Sequence, residues 1–208
     1  MIDKIASWKY SEEYATEPDH IKSARRHSEE LGVEAITPAT GNQLALLAAL
    51  ANAGNIVEAG TGAGVSGLWL LSASNSSVLT TIDDEPEYQN VARDVFKDSG
   101  MTPNRVRVIT GKALAVMGNM ADNAYDLVFL DIDPNDVEAL LGTALNLLKP
   151  HGALIISHAL WRDRVPNPAL RDDETSSLRN ALRLFADTQD FLASISMVGD
   201  GLLMVVKK

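Results

Sequence analysis

The chain has 208 residues, 46% of them hydrophobic, enough for the core of one domain. Its 28 acidic against 18 basic residues give a net charge of −10, which argues against nucleic acid as a partner. It contains no cysteine, which excludes disulfides and thiol catalysis, and no apolar run long enough to cross a membrane. The opening MIDKIASWKY lacks the apolar core of a secretion signal, so a soluble cytoplasmic protein is expected.

The first 35 or so residues are polar, mix acids with bases and read as a helical arm. A loop over Ala35–Thr40 leads to an apolar helix, Gly41–Asn52. Strands and helices then alternate. Strands are expected at Asn55–Gly60, Val78–Asp83, Val106–Thr110, Tyr125–Asp131 and Ala153–His158, and helices at Val65–Ser74, Pro86–Ser99, Ala113–Met120, Asn135–Leu148 and Thr175–Asp187. Lys149-Pro150-His151-Gly152 reads as the stop after the fourth of these helices, which puts His151 in a turn. Continuous apolar strands separated by helices indicate a parallel sheet covered on both faces. At the end, Phe191–Val198 and Leu202–Lys207 are separated only by Gly199-Asp200-Gly201, too short for a parallel crossover, so they form an antiparallel hairpin. The expected fold is an α/β, Rossmann-like, doubly wound sheet of seven strands, mostly parallel with an antiparallel C-terminal hairpin. One domain, 1–208, carries the arm at 1–35.

The most informative stretch is VEAGTGAG, Val57 to Gly64, in which an apolar strand breaks into a glycine-rich turn before a helix. Such turns bind nucleotide-like cofactors at the carboxyl end of a parallel sheet. Glu58, just before the turn, would repel a pyrophosphate and suits a cationic, phosphate-free cofactor. Asp83 ends the next strand, 19 residues after Gly64, where an acid commonly holds ribose hydroxyls; Asp84 and Glu85 are its neighbours. Gly111-Lys112-Ala113 leaves room for a flat base, or is a plain strand-to-helix turn. Asp131 and Asp133 follow the fourth strand. Asp131 lies where ligands bind in open sheets, whereas Asp133 reads as the cap of the next helix. Ser157-His158 closes the fifth strand beside the same crevice, and His158 is either a general base or a hydrogen-bonded, half-buried histidine. His20 and His27 read as surface residues, and Trp161 walls a substrate pocket or simply packs.

In this order, the pieces resemble the class I S-adenosylmethionine-dependent O-methyltransferases, in particular the catechol and caffeoyl-CoA O-methyltransferase group and its bacterial members. The resemblance covers about residues 20–208 and rests on ITPATGNQLALL, VEAGTGAGVSG, TTIDDEPEYQNVAR, YDLVFLDID, LLKPHGALIISHALW and the terminal GDGLLMVVKK. It implies that Glu58, Gly60, Thr61, Gly62, Gly64 and Ser66 surround the methionine and ribose of S-adenosylmethionine, with Ile36 and Thr40 beside them. It implies that Asp83 holds the ribose hydroxyls, that Asp84 lies next to the adenine, and that Gly111, Lys112 and Ala113 flank it. Asp131 falls near the amino group and the reacting methyl. The resemblance also implies a homodimer.

The acceptor half departs from the family pattern. The family's metal site pairs an aspartate at the position of Asp131 with an Asp-Asn pair where this chain has Ser157-His158. Its lysine three residues after that aspartate is Pro134 here. A hydroxyl and an imidazole are poor partners for Mg²⁺, so weak or absent Mg²⁺ binding is expected, with Asp131 and His158 as the catalytic candidates; a transition metal on those two residues is the open alternative, with few protein ligands. The expected activity is O-methylation of a small hydroxylated or aromatic acceptor. Alternatives are a cofactor-binding protein without catalysis, an NAD-dependent oxidoreductase, which Glu58 and the glycine spacing oppose, and a tRNA methyltransferase, which the net charge opposes.

Overall fold

Apolar residues at both parities along each central strand force the sheet between two layers of helices. The structure, a computed structural model, describes residues 4–186 and 188–208. Its elements are α1 (Lys4–Glu13), α2 (Asp19–Leu31), α3 (Pro38–Leu50), β1 (Asn55–Ala59), α4 (Val65–Ser72), β2 (Val78–Asp83), α5 (Pro86–Asp98), β3 (Val106–Thr110), α6 (Ala113–Met117), β4 (Tyr125–Leu130), α7 (Pro134–Leu147), β5 (Leu148–Ile156), α8 (Asp173–Ala186), β6 (Phe191–Ser196) and β7 (Leu202–Lys207). The sheet has seven strands in the order β3-β2-β1-β4-β5-β7-β6. The neighbours from β3 to β5 pair in parallel, and β7 runs antiparallel to both β5 and β6.

Alternate strand residues feed opposite faces. Ile56, Leu127 and Phe129 join the core under α2, α3, α4 and α5. Val57, Val128 and Leu130 join the core under α6, α7 and α8. The chain winds outward from β1 to β3, then returns to lay β4 against the other edge of β1. That reversal opens a crevice at the carboxyl ends of β1 and β4, where doubly wound sheets bind ligands.

Four local features differ from expectation. α3 starts at Pro38 rather than Gly41, because Thr37 caps it: its Oγ1 accepts the Thr40 N–H at 3.2 Å and Pro38 fits the first turn. β5 starts at Leu148, so Lys149–Gly152 is a bulged strand entry instead of a free turn. The pairing slips between Tyr125 and Leu127, and His151, at φ 64°, absorbs the slip. α8 begins at Asp173, and the expected end of that helix, Asp187, lies outside the described residues, as do residues 1–3 of the expected arm. The arm itself is two unlike helices. α2 places Ile21, Ala24 and Ser28 on one face and buries them against the core, so it belongs to the helical layer. α1 buries no side chain and lies over the crevice from outside. His20 and His27 are exposed, as expected.

Two glycines separate packing from flexibility. A Cβ on Gly41 would overlap the Trp69 indole, whereas one on Gly142, exposed in α7, meets nothing within 4 Å. Gly41→Ala is expected to destabilise the chain by about 1–3 kcal/mol through overpacking. Gly142→Ala is expected to stabilise it by about 1 kcal/mol, because alanine forms helix better than glycine. Urea denaturation of both variants tests this, and equal shifts would refute the assigned packing.

Candidate active site

The loop after β1 is held in place by backbone proximity. Gly60 has φ 95°, and a side chain there would overlap the carbonyl oxygen of Asp131, so only glycine lets the loop lie against the end of β4. The Asp131 N–H donates to the Ala59 carbonyl at 2.8 Å, and the Gly60 N–H to that of Ile82 at 2.9 Å, tying three strand ends together.

Glu58 lies beneath this loop with 0% exposure. The Thr81 hydroxyl donates to its Oε2 at 2.6 Å. That uses Thr81's only hydrogen, so in the 2.7 Å contact between Thr61 and Thr81 the donor is Thr61. Gln89 Nε2 in turn donates to Thr61 Oγ1 at 3.0 Å. Hydrogen bonds thus run one way, from Gln89 through Thr61 and Thr81, and end on Glu58. The other carboxyl oxygen, Oε1, makes no hydrogen bond of ordinary geometry, with the Ser66 hydroxyl as a weaker neighbour of the carboxyl group. Burial, reinforced by the charges of Asp131 and Asp83, pushes the Glu58 pKa from 4.5 up to about 8, although the Ser66 and Thr81 hydroxyls oppose the rise.

Above Glu58 runs a cleft in three adjoining lobes. A lobe of about 430 Å³ is lined by Asp83, Asp84, Tyr88, Lys112, Ala113 and Leu114. A middle lobe of about 190 Å³ is lined by Ile36, Thr61, Gly62 and Ser66 and shares Gly60, Asp83 and Asp131 with the first. The third, about 320 Å³, is lined by Trp8, Glu12, Thr40, Ser157, His158 and Asp200 and shares Ile36 with the middle one. Asp83 braces the loop: its Oδ2 accepts the N–H groups of Thr61 at 2.9 Å and Gly62 at 3.0 Å. Asp84, one residue on, is exposed at the rim of the first lobe.

The third lobe is built from both ends of the chain. Helix α1 closes it, with Trp8 Nε1 donating to the Met197 carbonyl at 3.1 Å. Glu12 accepts the Gly199 N–H at 2.7 Å and the Thr37 hydroxyl at 2.9 Å. His158 Nε2 lies 3.4 Å from Asp131 Oδ1, and its Nδ1 lies 3.1 Å from Asp200 Oδ2. The Ser157 hydroxyl donates to Asp131 Oδ1 at 2.5 Å. Hydrogen bonding to Asp131 raises the His158 pKa from 6.5 to about 9 against the effect of burial, and Asp200 adds to the rise.

Comparison with known proteins agrees with this geometry. Residues 11–208 match the family model described as O-methyltransferase. An O-methyltransferase-family protein of Mycobacterium leprae is 44% identical over 189 residues, which cover 90% of this chain and 84% of that one. The chain belongs to the O-methyltransferase family. Among solved structures, a Corynebacterium glutamicum protein superposes with a TM-score of 0.89 at 31% identity, covering 99% of this chain and 97% of the other. The O-methyltransferase of Bacillus cereus, a complex with SAH, gives 0.86 at 24% identity and covers 98% and 100%. As an O-methyltransferase, the chain is an enzyme that transfers a methyl group to oxygen. Neither non-catalytic cofactor binding nor tRNA modification finds support among these relatives.

In this O-methyltransferase, the residues named from sequence divide into those that line the cleft and those that shape it. Gly60, Thr61, Gly62, Ser66, Asp83, Asp84, Lys112, Ala113, Asp131 and Ile36 line the first two lobes, while Thr40 and His158 line the third. Three residues are placed differently. Glu58 is sealed beneath the loop. Gly64, at φ 87°, opens α4 and faces Phe96. The Gly111 N–H donates to the Asp83 carbonyl, and Gly111 lines no lobe. Asp133 caps α7, its Oδ1 accepting the Asn135 N–H at 2.9 Å. Of the two readings of His158, general base or hydrogen-bonded half-buried histidine, the geometry favours the second. A carboxylate at each ring nitrogen favours the protonated ring over one with a free lone pair. Sequence reading missed Thr81, Gln89, Trp8, Glu12 and Asp200. Only Asp200 carried a signal, the GDG placed between two strands.

The two shifted groups set the pH dependence of stability. Between about pH 4.5 and 8 the folded chain keeps the Glu58 proton that the unfolded chain releases, so stability falls as pH rises through that window. The stabilisation from charged His158 is complete below about pH 6.5 and is lost as pH rises through about 9. Melting temperature is therefore expected to drop from about pH 5 to 9. Glu58→Gln should flatten the lower part of that curve and His158→Gln the upper part. An E58Q protein that keeps the full wild-type slope below about pH 8 would contradict the assigned origin.

Proposed function

We propose that this chain uses S-adenosylmethionine to methylate a hydroxyl oxygen of a small hydroxylated or aromatic acceptor. The observation that carries the reading is the buried, half-satisfied Glu58 carboxyl under a cleft rich in acids. A buried carboxyl oxygen without a partner is costly, and a cation at the floor of the cleft would relieve it. A phosphate-bearing cofactor would instead meet Asp83, Asp84, Asp131 and Asp133, with Lys112 as the one basic side chain, among the described residues, lining the first two lobes. The Bacillus cereus relative, described as a complex with SAH, supports the same choice.

When bound, S-adenosylmethionine supplies an electrophilic methyl on a sulfonium. Ser66, Thr61 and Asp131 line the middle lobe and would hold its cationic, amino-acid end above Glu58. Asp84, Lys112 and Ala113 would receive the adenosine in the largest lobe, with Asp83 fixing the loop between them. The acceptor would enter the third lobe, where Asp131 and His158 orient its hydroxyl and Trp8 and Ile36 wall its apolar part. Asp131 is the group we assign to take up the hydroxyl proton, since its carboxylate is the base nearest the junction of the lobes. We also propose that residues 1–208 act as one domain with α1 as cover, in a cytoplasmic homodimer. Exposed Leu192, Ile195 and Met197 near the β6 edge supply an apolar face for pairing, which light scattering tests.

Isothermal titration of the whole chain with SAH and with NAD tests the cofactor. SAH is expected to bind and NAD to be ignored; the reverse would end the reading. Glu58→Gln should weaken SAH binding by about 2 kcal/mol, roughly thirtyfold, because it removes the buried partner of a ligand cation. Trp8→Ala should leave SAH affinity unchanged and raise the KM of any acceptor found by mass spectrometry on a hydroxylated panel. A loss of SAH binding in that variant would place Trp8 elsewhere.

A further inference from the structure

The ends of β4 and β5 do not suit a divalent ion. Asp131 Oδ1 already accepts the Ser157 hydroxyl and faces His158 Nε2. A hard ion needs several oxygen ligands, and an imidazole binds metal only through a nitrogen lone pair. Asp200 Oδ2 lies 3.1 Å from Nδ1 and Asp131 Oδ1 3.4 Å from Nε2, an arrangement that favours a hydrogen on each nitrogen over a free lone pair. Among the described residues no group of three His, Cys, Asp or Glu side chains converges as a metal-ligand set.

The ring is firmly clamped. Asp200 Oδ2 faces Nδ1, while its Oδ1 accepts the Arg162 N–H at 2.6 Å. Gly199 and Gly201 flank Asp200 at φ 56° and 89°. A side chain at 199 would overlap Thr40 Oγ1 and one at 201 would press on Leu160, so the turn that carries Asp200 has one position. His158 itself sits at φ 53°, a conformation that costs a non-glycine residue energy and is kept by its surroundings. Trp161 stands edge-on to the ring at 6.3 Å. The other acids lining this lobe are Glu12, held by Gly199 and Thr37, and Glu34, paired with Arg162 at 3.2 Å.

We propose that the His158 side chain is the resident cation of the acceptor site, clamped between Asp131 and Asp200 in the place where the metal-dependent pattern sets a divalent ion. The inference rests on the methyl-transfer reading and adds to it what holds the acceptor. The ring sets a positive charge against the Asp131 carboxylate and holds it toward the cleft. At 3.4 Å its Nε2–H is only loosely engaged by Asp131, so it can be shared with an acceptor hydroxyl oxygen lying beside that carboxylate. Asp200 touches neither reactant in this arrangement and is a positioning residue.

The test uses the whole chain and Mn²⁺ as probe, followed by electron paramagnetic resonance with and without SAH. Wild type is expected to bind SAH and to leave Mn²⁺ free up to about millimolar concentration, as a site without lone pairs or spare carboxylates requires. The double variant Ser157→Asp, His158→Asn places a carboxylate and an amide oxygen beside Asp131 and should bind Mn²⁺ at least about tenfold more tightly. Nitrogen NMR of the His158 ring in wild type should show two N–H groups at about pH 8, and Asp200→Asn should move loss of the second proton at least about one pH unit lower. Mn²⁺ binding by wild type that His158→Asn abolishes would overturn the proposal, as would a singly protonated wild-type ring at neutral pH. So would a double variant that binds SAH but gains no Mn²⁺. A wild-type chain that ignores SAH would instead sink the methyl-transfer reading, so the two failures are distinguishable.

Discussion

Burying a carboxyl group inside a sheet is the constraint around which this molecule is organised. Glu58 has no solvent to stabilise its charge, and a carboxylate in that position costs several kcal/mol unless hydrogen bonds or a cation compensate. The protein compensates by half. Gln89, Thr61 and Thr81 pass hydrogen bonds inward to one oxygen, and the second oxygen is left open. The same residues fix the loop, because the Thr61 backbone is anchored on Asp83 while its side chain belongs to the relay. The preference for a positively charged ligand and the shape of the loop therefore have one origin.

The cleft carries its charge unevenly. Its first two lobes are lined mainly by acids, with Lys112 among them, while at the third lobe the His158 ring stands between the Asp131 and Asp200 carboxylates. Asp131 belongs to all of this at once. Its backbone touches Gly60, and its side chain meets Ser157 and His158 at the point where the lobes join. A small shift of that residue would disturb both ends of the cleft, which explains why the glycine opposite it cannot carry a side chain.

Much of this was legible in the sequence, for identifiable reasons. Central strands buried on both faces leave continuous apolar runs, and three residues between the last two strands leave only a hairpin, so the sheet could be read directly. Glycine spacing and acids at strand ends located the first two lobes of the cleft. Long-range partners could not be read. Nothing local shows that Gln89, inside an amphipathic helix, reaches Thr61, or that Asp200 reaches His158 across 42 residues of sequence. For that reason His158 stood open between two readings: a histidine's chemistry is decided by what faces its nitrogens, and here both neighbours are distant in the chain. The bulged start of β5 was hidden similarly, because Pro150 and Gly152 carry a turn signature that strand pairing with β4 overrides.

The floor of the third lobe is fastened to the turn between β6 and β7. The Ala159 and Leu160 N–H groups donate to the carbonyls of Gly201 and Asp200, and Arg162 docks on the Asp200 side chain. Trp161, Arg162 and Asp163 hold left-handed backbone angles that no glycine relieves, so these docking contacts must keep the segment in shape. During synthesis, β1 to β4 and the loops at their carboxyl ends emerge before β5, β6 and β7. The floor of the third lobe must wait for the β6–β7 turn to emerge, so the loops of the first two lobes can take shape before it does.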